Sequence, residues 1–565
     1  MLIELGFVLI AVVIAFRFPS LGSNWSGRIE SDFARLARRQ RLSVVVVGLA
    51  ALGARAAVLP ILPVPQPHVN DEFSHLLLAD TLLHGRLSNP TPPMWIHFET
   101  VHVIMQPTYA SMYPPAQGLV LAAGRVIGGH RFAGVWLSVA LMCAAICWML
   151  QGWLKPEWAL LGGLLVLMRL GIFSYWANSY WGGAVPAIGG ALVLGSLPRI
   201  MQFQRPRDAV LMGLGMAILA NSRPYEGLVL CLPVAFWLLT WSVRRRSSVT
   251  LRRVILPLVL ALGLAAAGTG FYCWRVTGSP LRTPYQVAFS TYGIPPLLLW
   301  QPRSGNAVLY NHERLRDYYL GMWDYRNEVR SLSGLIGHWS LVTVSVWSLF
   351  LGPALSLPLL VAVMILPAGF QWTSASRETR FMVIASGACY AAFAELFFLP
   401  HYAAPMTCLI FALVLLAMRR LRGWQWHGKA VGLFLVRSTP VICLLMLGLR
   451  AAAAPLHLPL TPRWPRTWYN STSEMTDRAR IESQVTTIPG NHLVFVRYEP
   501  HTRVQDEWEW LYNAADIENA RIVWAWDMGP GENQELIDYF KNRRPWLIEP
   551  DEPSPSLKPY LQENE

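Results

Sequence analysis

The sequence predicts an all-α polytopic membrane protein with a small C-terminal α/β domain outside the membrane. Of the 565 residues, 53% are hydrophobic and only 14% are charged, whereas a soluble domain carries about 25% charged residues. Many apolar runs approach the ~20 residues that a helix needs to cross a bilayer. Counting these runs gives roughly 11–13 transmembrane helices. The composition therefore excludes a disordered chain and a purely soluble protein.

The net charge of +13 does not indicate a nucleic-acid partner. In a soluble protein it would suggest one, but here the arginines cluster in short loops between apolar runs. That pattern is typical of the cytoplasmic side of membrane proteins, so the expected surroundings are membrane lipids. The seven cysteines lie in or beside apolar segments and have no zinc spacing, so we predict neither a disulfide framework nor a metal site.

Arginine clusters set the predicted orientation. Residues 28–41 carry five arginines, and further clusters lie at 244–253 and at 419–422. Because positive charge accumulates in cytoplasmic loops, all three clusters are predicted to face the cytoplasm. The segments 63–115 and 275–339 then become long outer loops.

Two apolar runs do not fit a simple series of spans. Residues 116–127 form a short run that contains Arg125, and we predict a half-helix or re-entrant segment there. Residues 1–16 lack the basic start and cleavage pattern of a signal peptide. They are interpreted as an extra helix whose N-terminus lies outside.

Residues 1–450 are predicted to form the membrane module, and residues 451–565 an outer α/β domain. Hydrophobic alternation and a Gly-Pro-Gly breaker predict the elements of this domain. They are strands at 491–498, 521–526 and 545–549 and a helix at 532–541. The acidic residues of the tail are expected to form a solvated face: Asp506, Glu507, Glu509 and Asp527.

The densest polar segment near a predicted membrane exit begins at Asn70-Asp71-Glu72. The apolar spacing that follows predicts a short helix with both carboxylates in its first turn. There the helix dipole favours ionised carboxylates, the form that a general base requires. The alternative from these residues alone is a plain helix cap.

The order of motifs in this first outer loop resembles a known enzyme group. Asp71-Glu72 is followed by Gly85-Arg86, and the loop closes with Tyr113-Pro114-Pro115. This arrangement resembles the integral-membrane GT-C glycosyltransferases, specifically the dolichyl-phosphate-mannose protein mannosyltransferase and aminoarabinose transferase group. The resemblance covers roughly the first 400 residues as architecture, whereas sharp motif agreement is confined to these three places.

The resemblance implies a glycosyltransferase of the bacterial inner membrane with its active site facing the periplasm. Its partners would be a polyprenyl-phosphate-linked sugar and a protein, lipid or polysaccharide acceptor. By similarity Asp71 is the catalytic base, and Glu72 orients the acceptor or holds Asp71. No glycine-rich nucleotide loop is present, and no cofactor is expected, although a need for a divalent metal stays open.

Arginines are the expected ligands of the donor phosphate, because guanidinium is always charged and fork-shaped. Arg223 interrupts an apolar stretch at a predicted outer turn, with Arg86 and Arg282 as further candidates. The alternative for Arg223 is an ion pair with Glu226 that only satisfies a helix break. Relatives often carry a lysine before the Pro-Pro, whereas Tyr113 stands there in this chain.

Further residues are expected on the substrate side of the site. These candidates are His75, Tyr113, Glu226, His401 and Tyr402. The aromatic run at 175–181 favours an interfacial belt over a sugar-stacking surface. His97 and His102 are expected to pack within the loop and not to bind metal.

Two other functions remain open from the sequence. A transporter or flippase of lipid-linked sugars would carry inverted repeats and broken helices at mid-membrane, and we find no internal repeat. A membrane scaffold would use the tail to recruit partners, with the carboxylates of the loop purely structural.

Overall fold

The structure is a computed structural model in which the helices follow the predicted apolar runs. Of the acidic residues expected to form a solvated face, Asp506, Glu507 and Glu509 lie outside the residues it describes. Asp527 does not fit this expectation, because its side chain is largely buried and pairs with Arg497. The described residues are 1–245, 247–296, 298–301, 308–367, 371–393, 397–458, 460, 466–471, 475–499 and 510–560.

Helices dominate the described chain. The first eleven are α1 Leu2–Arg17, α2 Ser23–Arg38, α3 Gln40–Ala57, α4 Asn70–Leu83, α5 Ala116–Gly128, α6 Phe132–Leu150, α7 Pro156–Leu170, α8 Ala184–Phe203, α9 Pro206–Ala220, α10 Pro224–Arg245 and α11 Ser248–Thr250. The others are α12 Leu256–Thr277, α13 Pro284–Tyr292, α14 Glu313–Val329, α15 Leu332–Val346, α16 Gly352–Met364, α17 Arg377–Ala391, α18 Thr407–Arg422, α19 Val431–Ala451, α20 Asp477–Thr487 and α21 Pro530–Tyr539.

The predicted fold class is confirmed. Within the described ranges, eight helical segments are long and apolar enough to cross a membrane. One of them is the stretch Leu332–Met364, which Gly352 breaks with a φ of 55°. The apolar helices α1, α7 and α9 are shorter, at 16, 15 and 15 residues. The chain is therefore a multi-pass membrane protein.

The arginine-rich helix ends meet on one side of the bundle. Glu30 of α2 forms ion pairs at 2.9 Å with both Arg422 and Arg437. At the same level Gln151, after α6, donates to the carbonyl of Gln40 at the start of α3 (2.9 Å). We call this the arginine side; it carries the helix ends at Arg17, Arg38, Phe203, Arg245 and Arg422.

The opposite helix ends meet around α4. The N–H of Ala116 donates to the carbonyl of Asn221 between α9 and α10 (2.9 Å), and Tyr225 donates to the carbonyl of Ala392 after α17 (3.1 Å). We call this the α4 side. Thr108 of the first predicted outer loop donates to the carbonyl of Val276 in the second (2.7 Å), and Ala515 of the tail donates its N–H to Asp80 of α4 (2.9 Å). Both loops and the C-terminal tail therefore lie on this side.

Helix α5 confirms the predicted half-helix. It has 13 residues, and the next helix begins only four residues later, at Phe132, which contacts Tyr180 on the α4 side with ring centroids 6.2 Å apart. The chain therefore enters α5 and leaves it on the same side. This assignment lets α6, α7, α8, α9 and α10 alternate between the two sides.

The tail contains the predicted strands and helix. Its sheet has the order β4-β3-β5-β6, in which β3 Asn491–Val496 pairs in parallel with β4 Ile522–Trp526 and β5 Arg543–Ile548. A short antiparallel strand, β6 Lys558–Pro559, pairs with β5. An additional hairpin in the first outer loop, β1 Val103–Ile104 and β2 Ala110–Ser111, lies beside α4.

Candidate active site

The adjacent carboxylates Asp71 and Glu72 lie in the first turn of α4, but only one of them is accessible. The side chain of Glu72 is fully buried. One of its oxygens accepts from the backbone N–H groups of His68 (2.9 Å) and Val69 (3.2 Å), and the other accepts from that of Tyr180 (2.8 Å). Glu72 therefore joins the start of α4 to the segment before α8.

Glu72→Gln is expected to lower the melting temperature of the protein. The amide keeps one acceptor oxygen but turns an NH₂ toward a backbone N–H, and leaving a buried donor unpaired costs about 1–3 kcal/mol. Thermal unfolding of the purified variant in detergent measures the effect. The matched control is Asp71→Asn, for which we expect no comparable loss of stability. Loss of activity with an unchanged melting temperature would instead identify Glu72 as a group acting in the reaction.

Asp71 lies at the centre of a compact polar cluster. Its side chain is 22% exposed, and its Oδ1 accepts a hydrogen bond from the hydroxyl of Tyr113. Nδ1 of His102 lies 3.2 Å from that hydroxyl and 3.9 Å from the carboxylate. The ring of His75 lies against Tyr113, with centroids 4.6 Å apart. We call these four residues the Asp71 cluster.

Burial fixes the protonation of two members of this cluster. It raises the pKa of Tyr113 well above its usual value, and the charge of Asp71 raises it further. The pKa of His75 is lowered to about 3, chiefly by burial. The charge of Asp71 raises it by less than this, and the charges of Arg223 and His102 lower it further. At neutral pH Tyr113 is therefore a phenol that donates to Asp71, and His75 is neutral.

The β1–β2 hairpin brings His102 to Asp71. Val103 pairs with Ser111, and the carbonyl of His102 accepts from the N–H of Met112 (3.2 Å) and from Oγ of Ser74 in α4 (2.7 Å). The backbone of His102 has a φ of 64°, a left-handed conformation that costs free energy in a non-glycine residue. Such strain is often found in functional sites.

Arg223 precedes α10, at the predicted turn between two spans. Its guanidinium lies over the ring of Tyr402, 4.0 Å from the centroid, and its Nη1 lies 3.7 Å from Oε1 of the buried Glu226. It is close enough to His75 to act on it electrostatically. The fold therefore brings three predicted residues, Arg223, Glu226 and Tyr402, together and next to the Asp71 cluster.

His401 lies in a second polar cluster beside Arg223. Its Nδ1 is 3.0 Å from the hydroxyl of Tyr175, and its ring meets Trp181 edge-on with centroids 4.7 Å apart. The guanidinium of Arg466 lies 5.3 Å from the ring centroid of Tyr175 and 5.4 Å from that of Trp181. Both Arg223 and Arg466 act electrostatically on His401. We call His401, Tyr175, Trp181 and Arg466 the His401 cluster.

The aromatic run at 175–181 is not an interfacial belt. Tyr175, Trp176 and Trp181 are all buried, with Trp176 completely so. A belt would expose these rings to lipid headgroups, whereas here they pack inside the protein. In the parts of the chain that the structure describes, Nε1 of Trp181 and Nε2 of His401 are buried and have no hydrogen-bond partner.

Arg86 and Arg282 lie apart from these clusters. Arg86 is exposed beyond the C-terminus of α4, where its charge acts on Asp516 of the tail. Arg282 is also exposed, and its Nη2 donates to Oγ of Ser290 (2.9 Å). Across the described ranges, neither side chain contacts the Asp71 cluster or Arg223.

Sequence reasoning missed His102 and Arg466. His102 was expected only to pack in its loop, and its contact with Tyr113 depends on a hairpin of two-residue strands that no alternation pattern indicates. Arg466 follows the last span by 15 residues, in a segment without a recognisable motif. Among the described residues no group of three or more histidine, cysteine, aspartate or glutamate side chains could hold a metal ion.

No family model matches the chain, and no curated protein does. Solved structures do match. ArnT from Cupriavidus metallidurans in the apo state is 15% identical, with a TM-score of 0.45 and coverage of 90% of this chain and 92% of that chain. The same protein bound to undecaprenyl phosphate is 14% identical, with the same TM-score and coverage.

An archaeal oligosaccharyltransferase also matches. AglB from Archaeoglobus fulgidus, in complex with an inhibitory peptide and a dolichol-phosphate, is 10% identical, with a TM-score of 0.43 and coverage of 90% of this chain and 69% of that chain. ArnT and AglB are both GT-C glycosyltransferases, the group that the sequence resembles.

Proposed function

We propose that the protein transfers a sugar from a polyprenyl-phosphate donor to an acceptor hydroxyl. The observation that carries this proposal is the Asp71 cluster beside Arg223. A partly exposed carboxylate at a helix N-terminus and a fixed cation lie together where several spans end. The carboxylate of Asp71 can act as a general base, and the guanidinium of Arg223 can bind the departing phosphate.

In the proposed reaction the oxygen of the acceptor hydroxyl attacks the anomeric carbon of the sugar, and Asp71 takes the proton of that hydroxyl. The bond between that carbon and the phosphate oxygen breaks, and the polyprenyl phosphate leaves with the electron pair. Arg223 stabilises the charge that develops on the phosphate. The hydrogen bond from Tyr113 holds the Asp71 carboxylate in one orientation.

The His401 cluster supports a phosphate site next to Asp71. Arg223 and Arg466 place two positive charges near His401. Among the described residues, the indole N–H of Trp181 is a buried donor without an acceptor, which is costly unless a ligand satisfies it. An anion held between Arg223, Arg466 and Trp181 would balance the two positive charges and accept the hydrogen bond of the indole N–H. We therefore add Arg466 to the proposed donor-binding residues.

The α4 side is proposed to face the periplasm of a bacterial inner membrane. The arginine side carries the clusters that the positive-inside rule assigns to the cytoplasm. Residues 451–565 are proposed to form a periplasmic domain that covers the acceptor side. Apart from Arg466, the proposed donor-binding residue near its start, this domain supplies no group to the reaction. Trp526 of this domain donates its indole N–H to the carbonyl of Glu99 in the first outer loop (2.8 Å).

A topology reporter tests this orientation. Alkaline phosphatase, which folds only in an oxidising compartment, is expected to be active when fused after Glu565 and inactive when fused after Gly423 on the arginine side. An inactive fusion at Glu565 together with an active one at Gly423 would reverse the orientation, and with it the outward position of Asp71.

Mass spectrometry of lipids and glycans from cells with and without the protein tests the function. Without it, a polyprenyl-phosphate sugar is expected to accumulate, and one glycan, glycolipid or glycoprotein is expected to lack a sugar. Unchanged lipid-linked sugars and unchanged products would contradict a transferase. A lipid-linked sugar that accumulates but is never cleaved by the purified protein would favour the transporter.

A further inference from the structure

Helix α2 lies on the arginine side and packs against the protein along one face only. Ala37 is completely buried, and Phe33 and Leu36 are half-buried against the core. Glu30 forms its ion pairs with Arg422 and Arg437. This face therefore fixes α2 to the bundle.

The segment that leads into α2, together with its first half, exposes a row of large apolar side chains. Phe18, Leu21, Trp25 and Ile29 are 65%, 62%, 76% and 66% exposed. Trp25 and Ile29 lie one turn apart on the same face of α2, and Phe18 and Leu21 lie in the segment just before the helix. A contiguous apolar surface of this kind usually contacts a protein or a membrane.

Exposed arginines flank this row. Arg28 and Arg35 are seven residues apart in α2, so they share a second face, and the exposed Arg39 follows directly after the helix. Of the two carboxylates of α2, Glu30 is held by its two arginine partners and Asp32 pairs with Arg35. The exposed surface of α2 is therefore apolar on one face and mainly cationic on the next.

The neighbouring helices constrain where α2 can lie. Helix α1 ends at Arg17 on the arginine side, and α3 begins there at Gln40. Phe16 at the end of α1 contacts Trp424 in the loop between α18 and α19, with ring centroids 6.3 Å apart. Because both flanking helices end at this level, α2 runs along the surface of the membrane and does not cross it.

We propose that α2 is an interfacial helix that binds anionic phospholipids. Phe18, Leu21, Trp25 and Ile29 enter the boundary between headgroups and acyl chains, and Arg28, Arg35 and Arg39 bind lipid phosphates. Charge complementarity selects this occupant, since a cationic helix with an aromatic and aliphatic face suits an anionic lipid surface. The interaction is independent of the proposed transfer reaction.

The full chain is first incorporated into nanodiscs of phosphatidylcholine with about 30% phosphatidylglycerol. It is then extracted from the nanodiscs into detergent. Lipids that remain bound are counted by mass spectrometry. The combined variant Arg28→Gln, Arg35→Gln, Arg39→Gln is expected to retain phosphatidylglycerol at least about twofold less than the wild type. The matched control Arg244→Gln, Arg245→Gln, Arg253→Gln removes the same charge from other helices of the arginine side.

An equal loss in the control, or no loss in the α2 variant, would overturn the proposal. The variant Trp25→Ala, Ile29→Ala keeps every charge and is expected to weaken retention as well, so a folding defect of the arginine variant leaves the test intact. Molecular mass measured in solution gives the remaining outcome. A dimer that Trp25→Ala, Ile29→Ala dissociates would assign the apolar row to a second copy of the chain and refute the lipid site.

Discussion

Asp71→Asn is expected to abolish sugar transfer while leaving expression and membrane insertion intact. The substitution removes the proposed base and keeps the size and shape of the side chain. Loss of a general base typically lowers the rate by about 10²–10⁴-fold. The turnover of the purified variant measures the effect, with thermal unfolding as a check on its integrity.

Asp538→Asn provides a matched control for Asp71→Asn. Asp538 lies exposed on α21 of the tail, so the same chemical change there is expected to leave the rate unchanged. If the Asp71 variant turned over at the wild-type rate, the Asp71 carboxylate would have only a structural role in the first turn of α4.

Arg223→Ala is expected to impair use of the donor more than use of the acceptor. Losing a charge-assisted contact to phosphate costs about 1.5–3 kcal/mol, which corresponds to about 10–150-fold in kcat/KM for the donor. Arg223→Lys should recover part of the activity, because a point charge still attracts phosphate without the fork of the guanidinium. Steady-state kinetics with each substrate varied in turn separate the two effects.

The other predicted phosphate ligands serve as controls. Arg86→Ala and Arg282→Ala remove the same charge from exposed positions away from the Asp71 cluster, and we expect donor kinetics close to those of the wild type. If Arg223→Ala lowered kcat/KM equally for donor and acceptor, Arg223 would have only a structural role, as the ion-pair partner of Glu226 at the start of α10.

The membrane fold was predictable because its signals are local. Apolar runs mark α6, α8 and α12, and arginines mark the ends that meet on the arginine side. Arg125 in a short apolar run correctly indicated that α5 does not cross. Alternating hydrophobicity also identified β3 and β4 in the tail. Each of these signals comes from a few neighbouring residues and does not depend on distant contacts.

The site was predictable only in part, since it depends on contacts across the chain. The position of Asp71 in the first turn of α4 follows from local capping and spacing. The burial of Glu72 beside a partly exposed Asp71 does not follow from local sequence. It depends on a hydrogen bond from the N–H of Tyr180, which is 108 residues away in the chain. His102 and Arg466 likewise join the site through a hairpin and a long connection that leave no periodic signal.

Cleavage of the donor by the purified protein is the most direct test of the central claim. The wild type and Asp71→Asn are reconstituted in liposomes with polyprenyl-phosphate sugars extracted from cells that lack the protein, together with acceptor from the same cells. Mass spectrometry then follows free polyprenyl phosphate. We predict that it appears with the wild type, in step with a glycosylated acceptor, and not with Asp71→Asn. Equal release by both proteins, or no release by the wild type while the lipid-linked sugar moves across the bilayer, would contradict the account.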